Sequence, residues 1–363
     1  MKKYILIGLV VLVGGALLIA PLLKEDAPTL NNPKDKNAAV FTFKDNLATV
    51  GDEIVPLEIE INKELKKIEL FYNDTLIQTW ESPKGNLSFD FAPGKYGVGT
   101  RTLNLLATLS DGTSFVDNRM VRVLSDVIPE KLTPKILNTY PHDPTSFTQG
   151  LEFYDGKLFE GTGDPGNQGK TIVAQVDLFS GTIQKKMGLD VGFFGEGITI
   201  FNNTLYQLTW KNQKCYTYDI EQNLQLKGEF NYIGEGWGLC NDGQHLIMSD
   251  GSERITFRDP ETFEISHTLE VYNNQGPINY LNELEFINGK IYANVWTSNI
   301  VVVIDPASGK VLQEIDAANL VREGQGYGEV LNGIAHNAQT GKTYMTGKNW
   351  SKLFEVEFTA PGL

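Results

Sequence analysis

Two sets of residues in this chain have the types and the spacing to share one chemical task. Gln149, Glu196, Trp237, Glu283 and Asn332 open five similar short strings, and Gly163, Trp210, Gly251, Trp296 and Lys348 close the strings that follow them. Repeats that only build structure tolerate similar residues in every copy. These differ sharply from copy to copy, as an asymmetric site requires. Together they offer an acid, a lysine, amide side chains and three of the five tryptophans. A carboxylate buried among aromatic rings has its pKa raised towards working pH, which suits it to moving a proton between two atoms. Taken singly, each residue has an ordinary alternative: tryptophans pack between structural elements, a glutamate beside glycine sits in a solvated turn, and a late lysine lies on the surface. Their coincidence at equivalent positions favours one cleft.

The elements that would position them repeat along the chain. One string recurs as QGLEF (149–153), EGITI (196–200), WGLCN (237–241), ELEFI (283–287) and NGIAH (332–336), at intervals of 47, 41, 46 and 49 residues. A second follows each, as in KLFEGTG (157–163) and TLYQLTW (204–210). A third carries an aspartate turn in VDLFSG, YDIEQN, RDPETF and IDPASG. Strand-rich units with a period in the forties are propeller blades, and five copies predict a five-bladed β-propeller over residues 135–363. The fifth copy lacks one strand. An open edge there would leave the ring unclosed, so the otherwise unassigned KILNTY (135–140) is expected to pair with it and clasp the ring.

Ahead of the propeller, residues 38–125 show short alternating segments such as VPLEIEIN and RTLNLLATL, separated by turn signals. They predict a small immunoglobulin-like β-sandwich, and the fold class is therefore all-β. Residues 126–134 and 27–37 read as linkers. At the start, Lys2 and Lys3 precede an apolar run over residues 4–23, so 1–26 is expected to be a signal peptide or a membrane anchor. Its small-residue cleavage signal is poor, which favours the anchor. The bulk of the chain is then extracytoplasmic, periplasmic or secreted. A net charge of −14 argues against a nucleic-acid partner. The two cysteines, Cys215 and Cys240, pair only if the fold brings them together. The four histidines fall at unrelated repeat positions without ligand spacing, and no metal or cofactor is expected.

The strings PHDPTSFTQGLEF (141–153), FGEGIT (194–199), LYQLTWK (205–211), GEGWGLC (234–240), SDGS (249–252), LNELE (281–285), YANVW (292–296), LNGIAH (331–336) and TGKNW (346–350) run in order through every blade. Through them the chain resembles the glutaminyl cyclotransferases of the plant and bacterial, metal-independent type, from about Ile136 to Phe358. The resemblance implies an enzyme that converts the N-terminal glutamine of peptides and proteins to pyroglutamate with release of ammonia. It implies Glu196 as the catalytic acid, with Lys348 and Asn282 beside it. It also implies Phe147, Gln149, Phe194, Trp210, Trp237 and Trp296 as the substrate pocket. One family string, E-S-T-G, is EGTG (160–163) here. The resemblance is silent on residues 1–130.

In the implied reaction the α-amine must be neutral to attack the side-chain carboxamide, and the departing nitrogen must be protonated. One group that shuttles a proton serves both needs. Lys348 or Asn282 would stabilise the oxyanion, and the aromatic box would fold the glutamine into its ring-closing conformation. Two other readings stand against this. One is a non-catalytic propeller that binds peptides or glycans, which would not need an acid, a lysine and an amide in its cleft. The other is a metal-dependent lactonase or a quinone-dependent dehydrogenase, for which clustered ligands are missing.

Overall fold

The computed structural model describes residues 37–362. The apolar segment 4–23 and all but the last residue of the expected 27–37 linker lie outside them. Among the described residues no helix is long and apolar enough to cross a membrane. The chain forms two compact units. One comprises residues up to Lys44, Leu57–Phe89 and Thr102–Arg119, and the other comprises Asp45–Pro56, Asp90–Arg101 and Met120 onwards. The division therefore differs from a single cut after residue 125.

Over residues 38–125 the strands make two sheets. Ala39–Phe41, Val55–Ile61 and Leu87–Phe91 form a three-stranded sheet. Leu47–Val50, Ser114–Leu124, Gly99–Thr108, Lys67–Tyr72 and Thr75–Glu81 form a five-stranded one. The period-two pattern of the sequence sends Leu57, Ile59, Ile68, Leu70, Leu103 and Leu105 inwards. This is the expected sandwich.

Beyond it lie five blades. Blade 1 is built from Thr148–Tyr154, Lys157–Thr162, Ile172–Val176 and Ile183–Gly188, and blade 2 from Gly195–Phe201, Thr204–Thr209, Lys214–Asp219 and Gln225–Asn231. Blade 3 is built from Leu239–Asn241, Leu246–Ser249, Arg254–Arg258 and Ile265–Glu270, and blade 4 from Leu281–Ile287, Lys290–Val295, Ile300–Ile304 and Val311–Asp316. Blade 5 has Leu331–Asn337, Lys342–Gly347 and Lys352–Thr359. The first strands of successive blades touch in cyclic order, and that of blade 5 touches that of blade 1, so the ring is closed. Each of the five blade interfaces has its own apolar cluster. Tyr206, Leu208, Cys215, Leu239, Met248 and Phe263, for example, lie between blades 2 and 3. The aspartate turns link the outer two strands of blades 1 to 4: the carboxylates of Asp177, Asp219 and Asp259 each accept backbone N–H groups two and three residues on, and Asp305 accepts the Ser308 hydroxyl. Cys215 and Cys240 are buried and unpaired.

The clasp forms as expected and is longer than expected. Strand Glu130–Pro141 pairs antiparallel with Lys352–Thr359 from Thr133 to Pro141, supplying the missing outer strand of blade 5. Its first residues, Glu130–Leu132, run parallel to Gln313–Ile315 of blade 4. More than half of the stretch expected as linker, 126–134, is therefore strand. Pro134 is tolerated because only one neighbour pairs at that point, so its missing N–H leaves no ladder bond unmade.

Candidate active site

The pairing register shows how each blade delivers one residue to the axis. In blades 1, 2, 4 and 5 the first strand begins with one paired residue (Thr148, Gly195, Leu281 or Leu331) and then skips one residue in blade 1, and two in the others, before regular pairing resumes. Such a bulge re-aims a side chain out of the sheet alternation. The residues placed there are Gln149, Glu196, Asn282 and Asn332, all buried. Trp237 takes the equivalent place in blade 3, its N–H bonded to the Ser249 carbonyl.

This corrects the sequence alignment in blade 4. Asn282, and not Glu283, stands opposite Glu196 and its counterparts. Glu283 falls at the next position, where the other blades have Gly150, Gly197, Gly238 and Gly333. A Cβ on Gly238 would lie 1.9 Å from the Asn282 carbonyl oxygen, and one on Gly150 would lie 2.5 Å from the Ile198 nitrogen. At the one position with a side chain, the Glu283 carboxylate accepts the backbone N–H of Ile334 at 2.9 Å and of Leu151 at 3.3 Å, tying blade 4 to blades 5 and 1. Glu152 and Glu285 act similarly, accepting from Ile200 at 2.9 Å and from His336 at 2.6 Å. Burial lifts Glu152 to about 8, and Glu283 and Glu285 well above the usual carboxylate range. These three acids bridge strands.

Glu196 sits in a different setting. No hydrogen bond or ion pair holds its carboxyl among the described residues, and burial pushes its pKa well above the ordinary value. The charge of Lys348 opposes that shift, and the charge of Glu235 adds to it. Lys348, directly after the second strand of blade 5, is itself buried. Desolvation lowers its pKa, against the raising effect of Glu196 and Glu329. Its ammonium stands 4.8 Å from the centre of the Phe147 ring.

The aromatic residues form two runs. Phe147 meets Phe194 edge-on at 5.9 Å, and Phe194 meets Trp210 at 5.7 Å. Trp237 meets Trp296 at 5.5 Å and 90°, and Tyr280 lies 6.2 Å beyond Trp296. Trp296 is 38% exposed. Glu235 joins the runs by accepting the indole N–H of Trp210 at 2.6 Å and that of Trp237 at 3.1 Å. Gln149 accepts from the Asn332 amide at 3.2 Å. The buried Oδ1 atoms of Asn282 and Asn332 have no partner among the described residues. A cleft of about 340 Å³ opens beside Phe194 and Trp210, lined also by Asp164, Pro165, Phe193 and Lys211. A second, of about 290 Å³, lies at the clasp, lined by Lys131, Leu132 and Glu314, and contains none of these residues.

Of the residues expected from sequence, contacts or mutual charge thus connect Glu196, Lys348, Phe147, Phe194, Trp210, Trp237 and Trp296. Gln149 and Asn282 join them by register. Sequence reasoning missed Glu235 and Tyr280 as parts of the pocket. The signals were the Glu two residues before Trp237 in GEGWG and the Tyr just before LNELE. The histidines lie elsewhere. His142 is buried between Glu160, at 3.1 Å, and the Trp350 carbonyl, at 2.7 Å. Among the described residues no group of three His, Cys, Asp or Glu could hold a metal ion.

Comparison with known proteins agrees with this architecture. The chain is 37% identical over 229 residues to a glutaminyl-peptide cyclotransferase of Arabidopsis thaliana, covering 61% of this chain and 70% of that protein. The crystal structure of Myxococcus xanthus glutaminyl cyclase superposes with a TM-score of 0.60 at 38% identity, covering 64% of this chain and 98% of the other. The family model for glutamine cyclotransferase matches residues 107–358, starting some thirty residues before the strings that first suggested it. On the length of that match, and with the relative and the superposed structure in agreement, the chain belongs to the glutamine cyclotransferase family.

Proposed function

We infer that this protein is a glutaminyl-peptide cyclotransferase, closing the N-terminal glutamine of peptides to pyroglutamate and releasing ammonia, with Glu196 as the group that moves the proton. The observation that carries the assignment of Glu196 is its setting: a buried carboxyl, raised in pKa, without a hydrogen-bond partner, two residues from Phe194 and within reach of the charge of the buried Lys348. Its bridging neighbours Glu152, Glu283 and Glu285 are all engaged with backbone N–H groups. Glu196 has its oxygens free for substrate.

The chemistry follows from that setting. An incoming α-ammonium meets a carboxylate that binds protons tightly, gives up one proton and becomes the neutral nucleophile. The amine nitrogen then attacks the side-chain carbonyl carbon, forming the ring C–N bond and a tetrahedral oxyanion. Lys348 offers positive charge to that oxygen. Glu196, now an acid, delivers its proton to the carboxamide nitrogen as the C–N bond breaks and ammonia leaves, and the ring nitrogen returns a proton to Glu196. The partnerless Oδ1 of Asn282 accepts from an N–H of the substrate, and Gln149, steadied by Asn332, donates to the carboxamide oxygen. A pocket that hydrogen-bonds the carboxamide rejects apolar isosteres strongly. Phe147, Phe194, Trp210, Trp237 and Trp296 exclude water and hold the chain of the glutamine folded.

No step of this scheme needs a metal. The basic and apolar N-terminal segment supports an extracytoplasmic location, with attachment through residues 4–23. The test of function is ammonia release from the peptide Gln-Ala by the purified protein, with Asn-Ala and N-acetyl-Gln-Ala as substrates that should not turn over. Equal turnover of the acetylated peptide would refute the reading.

A further inference from the structure

Glu235 lies in the connection between blades 2 and 3, outside the repeated strands. Its Oε2 receives both indole hydrogens, from Trp210 at 2.6 Å and from Trp237 at 3.1 Å. Its Oε1 lies 3.7 Å from the Lys211 ammonium, which in turn stands 3.9 Å from the centre of the Trp210 ring. An indole has one polar hydrogen, so the acceptor of that hydrogen fixes how the ring is turned. Trp210 directly follows the second strand of blade 2, and Trp237 stands two residues before the first strand of blade 3. One carboxylate therefore sets two pocket walls that come from different blades. Each of these rings abuts another wall, Phe194 at 5.7 Å and Trp296 at 5.5 Å.

We propose that Glu235 is the positioning residue of the pocket, holding Trp210 and Trp237 in the orientation that admits and folds the substrate's glutamine. The proposal rests on the cyclotransferase reading above. Glu235 is not a second proton carrier. Its side chain is 40% accessible, and both of its oxygens are occupied by the indoles and Lys211. Because the residue is partly open to solvent and lies in a loop, it can be replaced without emptying a core.

The experiment compares Glu235→Leu and Glu235→Gln in the full chain. It also places Glu235→Leu in a background where Trp210→Phe and Trp237→Phe keep the rings and remove both N–H donors. Loss of hydrogen bonds to a charged acceptor predicts that Glu235→Leu lowers kcat/KM for Gln-Ala by roughly ten- to a hundredfold, mainly through KM. The amide oxygen of Glu235→Gln still accepts both indole hydrogens, so this variant should recover to within about threefold of wild type. In the double-Phe background Glu235→Leu should cost less than about twofold, because the groups it acts through are gone. An undiminished loss there, or wild-type KM in Glu235→Leu alone, would overturn the proposal. Should the double-Phe protein not fold, tryptophan emission decides. Glu235→Leu must shift the emission maximum and Glu235→Gln must restore it, and an unchanged spectrum overturns the proposal. A wild-type protein that released no ammonia would remove the cyclotransferase reading alone, and the emission comparison would still report whether Glu235 orients the two rings.

Discussion

Replacing Glu196 by glutamine separates the proton from everything else about the side chain. The residue is 5% exposed, and its carboxyl is lifted well above its ordinary value of 4.5, by burial first, with Lys348 opposing and Glu235 adding. Over a range of pH the folded protein thus holds the acid where the unfolded chain carries a carboxylate. Because the folded pKa is the higher one, the stability tied to this group is complete below 4.5 and is lost as pH rises through the folded value. Gln imitates the acid form in size and charge and removes that loss. Glu196→Gln should therefore melt like wild type in acid and at a higher temperature than wild type at neutral and alkaline pH. Activity should move the other way. General acid–base groups contribute about two to four powers of ten in rate, so turnover should fall at least roughly a hundredfold. KM should change far less, since the aromatic walls are untouched. Ammonia release from Gln-Ala, with thermal melts on the same samples across pH, measures both. Glu283→Gln provides the contrast. Two backbone N–H groups share its two oxygens, and an amide satisfies only one of them. That variant should lose about 1–3 kcal/mol of stability while keeping more turnover than Glu196→Gln. Near-wild-type turnover in Glu196→Gln would refute the shuttle. If Glu283→Gln were inactive in the same assay, the acid would belong to blade 4.

Trp296→Ala removes a partly exposed ring that abuts Trp237, so KM should rise by roughly tenfold, the worth of an aromatic contact with its burial, while the melting temperature stays close to wild type. Activity should survive long dialysis against strong chelators, since the proposed proton carrier is a side chain. A loss that zinc restores would overturn the assignment. The buried His142 has its pKa raised: burial pulls it down, and the Glu160 charge with the Trp350 carbonyl more than compensates. Stability from this pair is complete below the unfolded value of 6.5 and is lost as pH rises through the higher folded value. Melts between pH 6 and 9 should show that slope in wild type and a flatter one in Glu160→Gln.

The blades were legible because each is a strand pattern repeated with its own turn chemistry, and the aspartates of those turns do cap the outer hairpins. The site was legible where it sits on the repeat. Gln149, Glu196, Trp237 and Asn332 each precede a glycine, which the close approach of the next inner strand demands after the first three and a positive φ demands at Gly333. Blade 4 breaks the pair, with Glu283 standing where glycine should be, so matching acid to acid placed Glu283 one residue out of register and hid its bridging role. Glu235 was invisible to repeat alignment because a connection has no counterpart in the other blades. The clasp was found from the missing strand, but its first residues were hidden by Pro129 and Pro134. Prolines signal a linker, and only the one-sided pairing at Pro134 makes a strand possible there.

The clasp also sets the order in which the molecule can be built. Blades 1 to 4 each fold from a continuous stretch of chain. Blade 5 cannot be finished until Lys352–Thr359 has been made, and the bond from the Thr359 hydroxyl to the Thr133 carbonyl spans 226 positions. Pairing over such separations is slow, because the entropy of the intervening chain is surrendered before the contact returns anything. The short parallel stretch between Glu130–Leu132 and Gln313–Ile315 spans 183 positions and needs only residues made before Lys352–Thr359. A clasp docked on blade 4 would be in place when the last residues arrive, and ring closure would then be the final step of a long-range fold.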